Sequence, residues 1–150
     1  MTPYEEQLNL FFVKVFNDIL RLEEESMTKV EHKNLSLSEI HVIEAVCDSE
    51  GFEQNTMKEL SKQLRITASS LTIAVKTLEQ KGYLIRNKSD SDKRKVMVCS
   101  TPLARRVNED HKAFHRKLIE SVSHTLKDDE LAALTTALET MHRFFTKIKL

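Results

Sequence analysis

The chain has 150 residues, of which 40% are hydrophobic and 31% charged, so it can enclose one core. With only two Gly and two Pro, this composition predicts a mostly helical fold and excludes a β-sandwich. The net charge is zero, yet residues 56–101 hold ten Lys/Arg against four Asp/Glu, a net +6, and the remainder carries −6. A basic segment on an acidic body indicates contact with nucleic acid through one face.

The first predicted helix spans residues 4–25. Its apolar side chains follow a 4-3-4-3 spacing, with two further phenylalanines beside them: Leu8, Phe12, Val15, Ile19, Leu22, Phe11 and Phe16. So wide a stripe predicts burial on more than one side. It suits an ordinary core, a dimer seam or the lining of an apolar pocket, and the sequence leaves these alternatives open. Residues 26–35 form a polar connector.

Two capping boxes open the next helices. Ser36-x-x-Glu39 starts a helix that buries Ile40 and Ile43 and ends at Gly51. Thr56-x-x-Glu59 starts a short helix at 57. A turn at residues 65–66 then leads into a longer helix, which Thr67 can cap and which should end before Gly82. The inward stripe of this longer helix is Leu71, Ala74, Val75 and Leu78.

That stripe leaves Ser69, Thr72, Ile73 and Lys76 on the outward face of the same helix. Small hydroxyls and one apolar group suit the major groove of DNA, where base edges and thymine methyls are presented. Two short strands, residues 83–86 and 96–98, flank a charged loop. Arg94 in that loop could enter a narrow minor groove. A solvated helix followed by a charged turn is the alternative reading.

The last two helices are long. Thr101-Pro102 begins one that runs to about residue 126. Acidic residues 128–130 favour the start of another, in which apolar residues repeat at 3-4-3-4-3 spacing: Leu131, Leu134, Leu138, Met141, Phe145 and Ile148. Such a seam needs a partner helix. We therefore predict a homodimer formed through helices 4–25 and 102–148.

The stretch ASSLTIAVKTLEQKGYLIR, followed by SDKRKVMVCSTPLA, resembles the recognition helix and wing of the MarR family. The resemblance implies a single domain over residues 1–150, mainly α with a small β-wing, whose winged helix-turn-helix (36–101) binds double-stranded DNA as a homodimer. It also implies that Asp92 orients Arg94. The predicted DNA-contacting residues are Thr67, Ser69, Ser70, Thr72, Ile73, Lys76, Arg86, Lys88, Asp92, Lys93 and Arg94.

Three other stretches, VFNDILRLEEE, SEIHVIEAV and DHKAFHRKLI, resemble the family branch that represses fatty-acid synthesis genes in Gram-positive bacteria. That branch implies an acyl chain on acyl carrier protein as corepressor and no required cofactor. The predicted ligand-binding residues are Phe11, Phe12, Phe16, Ile19, Ile40, His41, Ile43 and His115. The zinc-responsive adhesin-competence branch implies instead a metal site at Glu24, His41, His111 and His115. A repressor that responds to another small ligand is the remaining alternative. Two histidines spaced i, i+4 on a helix are also common on solvated surfaces.

Two rival classes remain. The sequence shows neither a Gly-rich phosphate loop nor a nucleophile elbow, so an enzyme is disfavoured. A winged helix used only for protein contacts is disfavoured by the basic face. Cys47 and Cys99 fit neither a disulfide framework nor a metal motif and are predicted to be buried free thiols, with a redox sensor as the alternative. No signal peptide and no membrane-length apolar run is visible, which predicts a cytoplasmic protein.

Overall fold

Six helices and one two-stranded sheet make up the protein, here described by a computed structural model over residues 1–28, 32 and 34–148. In chain order they are α1 (Pro3–Thr28), α2 (Leu37–Glu50), α3 (Met57–Leu64), α4 (Ala68–Gln80), β1 (Leu84–Lys88), β2 (Val96–Ser100), α5 (Pro102–Thr125) and α6 (Asp128–Lys147). The predicted fold class, mainly α with a small β-wing, is confirmed. The predicted connector is partly helical because α1 continues to Thr28, and residues 29–31 and 33 of it lie outside the described residues.

The helix starts follow the predicted capping chemistry. Ser36 accepts a hydrogen bond from the backbone N–H of Glu39, whose carboxylate accepts from the N–H of Ser36, so both halves of the box form. Thr56 caps α3 and Thr67 caps α4 through the first kind of bond: their hydroxyls accept from the backbone N–H groups of Glu59 and Ser70. At Gly82 the backbone has φ +84°, the left-handed conformation that favours glycine. The sequence did not indicate that Arg65, at the end of α3, is also left-handed.

The core lies inside the winged helix. Ile40, Ile43 and Val46 of α2 pack with the inward residues of α3 and α4, and the sheet and the start of α5 complete the cluster. These side chains are almost fully buried: Leu60, Leu71, Val75, Leu78, Leu84, Val98 and Val107. Their removal from water supplies the main stabilisation of this region, about 25 cal/mol per Å² of apolar surface.

The wing is an antiparallel pair in which Leu84 lies opposite Ser100 and Lys88 lies opposite Val96. Both strands end two residues later than the sequence predicts, and β1 also begins one residue later, at Leu84. On the outer edge of β2, the backbone N–H of Val98 donates to the carbonyl of Asn55 at 2.8 Å. The buried Asn55 amide donates back to the Val98 carbonyl at 2.7 Å. This edge of the sheet is therefore held against the segment that precedes α3.

The described chain divides into two compact units, Met1–Lys112 and Ala113–Leu150, with the boundary inside α5. In the first unit α1 exposes much of its apolar stripe, including Leu8, Phe11 and Phe16. In the second, α6 has no buried residue. None of the helices in the described part of the chain is both long and apolar enough to cross a membrane.

Candidate nucleic-acid interface

The outward face of α4 is open to solvent. Its inward residues Leu71, Val75 and Leu78 are fully buried, which fixes the orientation of the helix on the core. The predicted contact residues on this helix are all exposed: Ser69, Ser70, Thr72, Ile73 and Lys76. Ile73 is 69% exposed, an unusual position for a branched apolar side chain in a helix that already has a packed face. A thymine methyl is a suitable partner for it.

The short hydroxyl side chains at the start of α4 form hydrogen bonds within the helix and also lie on its outer surface. Thr67 accepts from the N–H of Ser70 at 3.1 Å and donates its own hydroxyl to Ser70 Oγ at 2.9 Å. Thr72 donates to the carbonyl of Ala68 at 2.8 Å. These bonds hold the hydroxyl oxygens in place while leaving acceptor positions on them for an incoming donor.

The tip of the wing presents a guanidinium. Asp92 accepts from the backbone N–H of Arg94 at 3.0 Å and lies 3.3 Å from its Nε. The Arg94 side chain is nonetheless 92% exposed, so its fork projects beyond the turn. Lys88 and Lys93 are exposed beside it. The geometry agrees with a wing arginine anchored at its base and free to enter a groove.

Arg86 differs from the other predicted contacts. Its guanidinium holds both carboxylate oxygens of Glu79, with Nε–Oε1 at 2.5 Å and Nη2–Oε2 at 3.3 Å. The pair joins the last turn of α4 to β1. Arg86 is thus engaged in fastening the recognition helix to the wing, and Glu79 is a residue that the sequence analysis did not single out.

A buried charged cluster lies elsewhere in the first unit. His111 of α5 is 2% exposed, contacts Glu23 of α1 through Nε2, and has Nδ1 2.6 Å from Glu44 of α2. His41 lies 3.5 Å from the same Glu23 and its ring centre is 5.8 Å from that of His111. The hydrogen bond to Glu44, reinforced by Glu23, raises the pKa of His111 against the opposing effect of burial. The carboxylate on α1 in this cluster is Glu23, whereas the sequence pointed to Glu24.

The predicted ligand-binding residues fall into separate environments. Ile40 and Ile43 belong to the winged-helix core, where they are 1% and 0% exposed. Phe11 and Phe16 are exposed on α1, and Phe12 stacks on Phe16 with ring centres 6.0 Å apart. His41 is half exposed beside Glu23, and His115 follows His111 by one turn of α5. These residues therefore differ in burial, and their part in ligand binding stays a prediction.

A cavity of about 240 Å³ lies where α1 leads into α2. Its lining combines apolar and polar side chains: Glu24, Met27, His32, Leu35, Ser36, Leu37 and Ile40. His32 is 4% exposed and its Nε2 lies 3.0 Å from Asp110 of α5. Of the predicted ligand-binding residues, Ile40 reaches this space.

Both cysteines are free and half buried rather than fully buried. Burial raises the pKa of Cys47 and of Cys99, and the Glu50 carboxylate adds to this effect at each. A raised thiol pKa lowers the thiolate fraction at neutral pH. The structure thus gives no support to a redox role for either thiol.

An exposed helix face of small polar residues, mounted on a compact core beside a basic two-stranded wing, defines a winged-helix DNA-binding protein. The model of the MarR family matches residues 33–95, from the connector to the wing tip. No curated protein matches the chain by sequence.

Solved structures share this architecture over nearly the full length. Streptococcus pneumoniae FabT, in a crystal structure in complex with DNA, has a TM-score of 0.89 and 27% identity, covering 97% of this chain and 99% of that one. The regulator BldR from Sulfolobus solfataricus has a TM-score of 0.67 and 24% identity, covering 99% and 100%. The MarR family transcription regulator SP03579 has a TM-score of 0.80 and 14% identity, covering 97% and 92%. Residues 33–95 thus match the MarR family model, and the architecture of the chain is that of DNA-binding transcription regulators such as these.

Proposed function

We propose that this regulator represses genes of fatty-acid synthesis, and that an acyl chain carried on acyl carrier protein is its corepressor. The observation that carries the proposal is the likeness to the FabT–DNA complex, at a TM-score of 0.89 over 97% of the chain. Three stretches outside the recognition helix add to it through their resemblance to the fatty-acid branch. Operator binding requires the compartment that holds the chromosome, so the cytoplasmic location that the sequence predicts is part of this proposal.

The proposed repressor is a homodimer. In the first unit α1 leaves Phe11 64% and Phe16 58% exposed, and in the second α6 leaves Leu138 51% and Phe145 52% exposed. Apolar stripes of this length need cover from another surface. A two-fold dimer supplies it and sets two recognition helices about one DNA turn apart, which matches a pseudo-palindromic operator.

The proposed acyl site is the aromatic face of α1, closed by the second copy. Phe11, Phe12, Phe16 and Ile19 supply apolar contacts there, and His41 of the same unit is a polar group for the head of the ligand. Ile40 and Ile43 are buried in the core, so in this proposal they contact the ligand only from the inner side of the site. Acyl carrier protein would remain outside and present the chain.

The test is a gel shift on an operator duplex with acylated and bare carrier protein titrated in parallel. We expect the acylated form alone to raise DNA affinity, by about 5- to 150-fold as is usual for coupled sites. By linkage, the duplex must raise the affinity for the acylated carrier protein by the same factor. An equal response to both carrier proteins contradicts the proposal. Phe16→Asp should remove the response, while Phe52→Asp, a substitution at an exposed loop phenylalanine outside α1, should not.

A second candidate is a zinc-responsive repressor, favoured by one observation. Glu23, His41 and His111 lie together, and carboxylate and imidazole are zinc ligands. Both ring nitrogens of His111 already lie against carboxylates, however. A zinc ion could bind a nitrogen of His111 only by displacing the carboxylate beside it. Gel shifts with added zinc and with a chelator separate the candidates: control by zinc alone, abolished in His111→Ala, would favour this one.

A further inference from the structure

Asn34, which precedes α2, is hydrogen-bonded to residues at the end of the recognition helix. Asn34 accepts two hydrogen bonds there: its backbone carbonyl from Lys81 Nζ and its side-chain Oδ1 from the Tyr83 hydroxyl at 2.9 Å. Lys81 and Tyr83 flank Gly82, immediately after α4. One exposed asparagine therefore holds both sides of the turn where the recognition helix stops.

Lys81 and Tyr83, the two donors to Asn34, are themselves held in place. Lys81 Nζ also lies 2.9 and 3.1 Å from the two oxygens of Glu39, the residue that closes the capping box of α2. Tyr83 is 2% exposed, and burial raises the pKa of its hydroxyl. That hydroxyl keeps its proton and remains a donor to Asn34.

His32, two residues before Asn34, lies 3.0 Å from Asp110 of α5. These two residues thus contact the helix that follows the wing and the end of the recognition helix, respectively. Because α4 spans 13 residues, a length of about 20 Å, a small tilt at its last turn displaces the reading face at its start.

We propose that Asn34 is a positioning residue for DNA reading: through Lys81 and Tyr83 it fixes the direction of α4 on the DNA. Asn34 carries no charge, so its loss removes no phosphate ion pair. The contact therefore serves base recognition and leaves the electrostatic part of binding unchanged. The inference depends on the DNA-binding class of the protein and is independent of which effector it senses.

The experiment compares the full-length protein with Asn34→Ala, Tyr83→Phe, their double variant, and Asn34→Asp, which keeps the accepting oxygen. The probes are a duplex selected by the wild type from a random pool and a random-sequence duplex of equal length. We expect each of the first two changes to weaken binding of the selected duplex by about threefold to tenfold, the range for one hydrogen bond. Binding of the random duplex should stay within about twofold, because it rests on phosphate contacts.

The double variant should be no weaker than the weaker-binding single variant, since both changes remove one shared hydrogen bond. Asn34→Asp should bind within about twofold of the wild type. Lys112→Met breaks an ion pair between α5 and Asp48 of α2 that does not involve Asn34, and should leave both affinities unchanged.

Three results would overturn the proposal. The first is that Asn34→Ala binds the selected duplex like the wild type. The second is that the effects of the two single changes add in the double variant. The third is that binding of both duplexes falls equally together with the melting temperature, which would identify a purely structural role. Thermal melting of every variant is therefore measured alongside DNA binding.

Discussion

Leu71 of α4 and Leu138 of α6 occupy the same kind of place in their helices, on a regular apolar stripe, yet the first is fully buried and the second is 51% exposed. The winged helix encloses its own core, with capped helix starts and a sheet across it. In contrast, α6 has no buried residue, and α1 exposes most of its aromatic side chains. The comparison shows that helical spacing predicts which face of a helix is apolar and favours burial. It does not predict whether the same chain buries that face.

The largest expected effect is on the buried side of this comparison. Leu71→Ala should lower the free energy of unfolding by about 2–5 kcal/mol, because it opens a cavity in a closed core. Chemical denaturation measures the change. Thr136→Ala, at an exposed position of α6, is the control and should stay within about 0.5 kcal/mol. A loss below about 1 kcal/mol for Leu71→Ala would show that this core is less tightly packed than the burial of its side chains indicates.

The exposed apolar stripe of α6 is tested by introducing a charge. Leu138→Glu should weaken the proposed dimer by about 100-fold or more, because a carboxylate on the seam would lose its hydration without a partner. The isolated chain should fold as before, since Leu138 is already in solvent. Sedimentation across a concentration series gives the dimer constant. Thr136→Glu changes the same charge half a turn away; if both variants remain dimeric, the seam does not include this face of α6.

Arg94→Ala examines the wing, which belongs to the closed module but whose arginine is 92% exposed. DNA binding should weaken by about 1–3 kcal/mol while melting and dimer formation stay unchanged. Fluorescence anisotropy at moderate salt measures the affinity. Arg116→Ala, an exposed arginine of α5, is the matched control. Equal DNA affinities for Arg94→Ala and the wild type would remove the wing from the interface.

The smallest expected effect separates two arginines of the wing. Arg86 is paired with Glu79, and both side chains are partly exposed, so Arg86→Met should lower the free energy of unfolding by about 0.5–1 kcal/mol. Glu79→Gln should do the same, and the loss should shrink at high salt. DNA affinity should fall less than in Arg94→Ala. The opposite order would mean that Arg86 leaves Glu79 to contact phosphate.

Much of the fold could be predicted from the sequence because it depends on interactions between residues that are close in the chain. Ser36, Thr67 and Gly82 act on their own neighbours in the chain, and a cap or a left-handed turn needs no distant partner. Periodicity identified Leu71 and Val75 as core for the same reason. The left-handed Arg65 was missed because arginine carries no signal for that conformation.

The candidate sites were harder to predict because they depend on distant partners. Successive residues of a helix point about 100° apart, so choosing Glu24 over Glu23 turned the carboxylate away from His111. Arg86 was predicted to contact DNA together with the rest of the basic face. Its ion pair with Glu79 depends on the packing of β1 beside α4, which the sequence does not show. Ile40 and Ile43 have the same apolar spacing whether they line a pocket or fill a core.

The contact between Asn55 and Val98 has a consequence for solubility. A two-stranded sheet has two free edges, and exposed edges invite strands from other chains and hence aggregation. On the β2 side, Asn55 occupies both backbone groups of Val98. On the β1 side, the exposed Arg86 and Lys88 add charge to the strand, which opposes pairing with another chain. The wing can therefore extend into solvent at high protein concentration without recruiting another sheet.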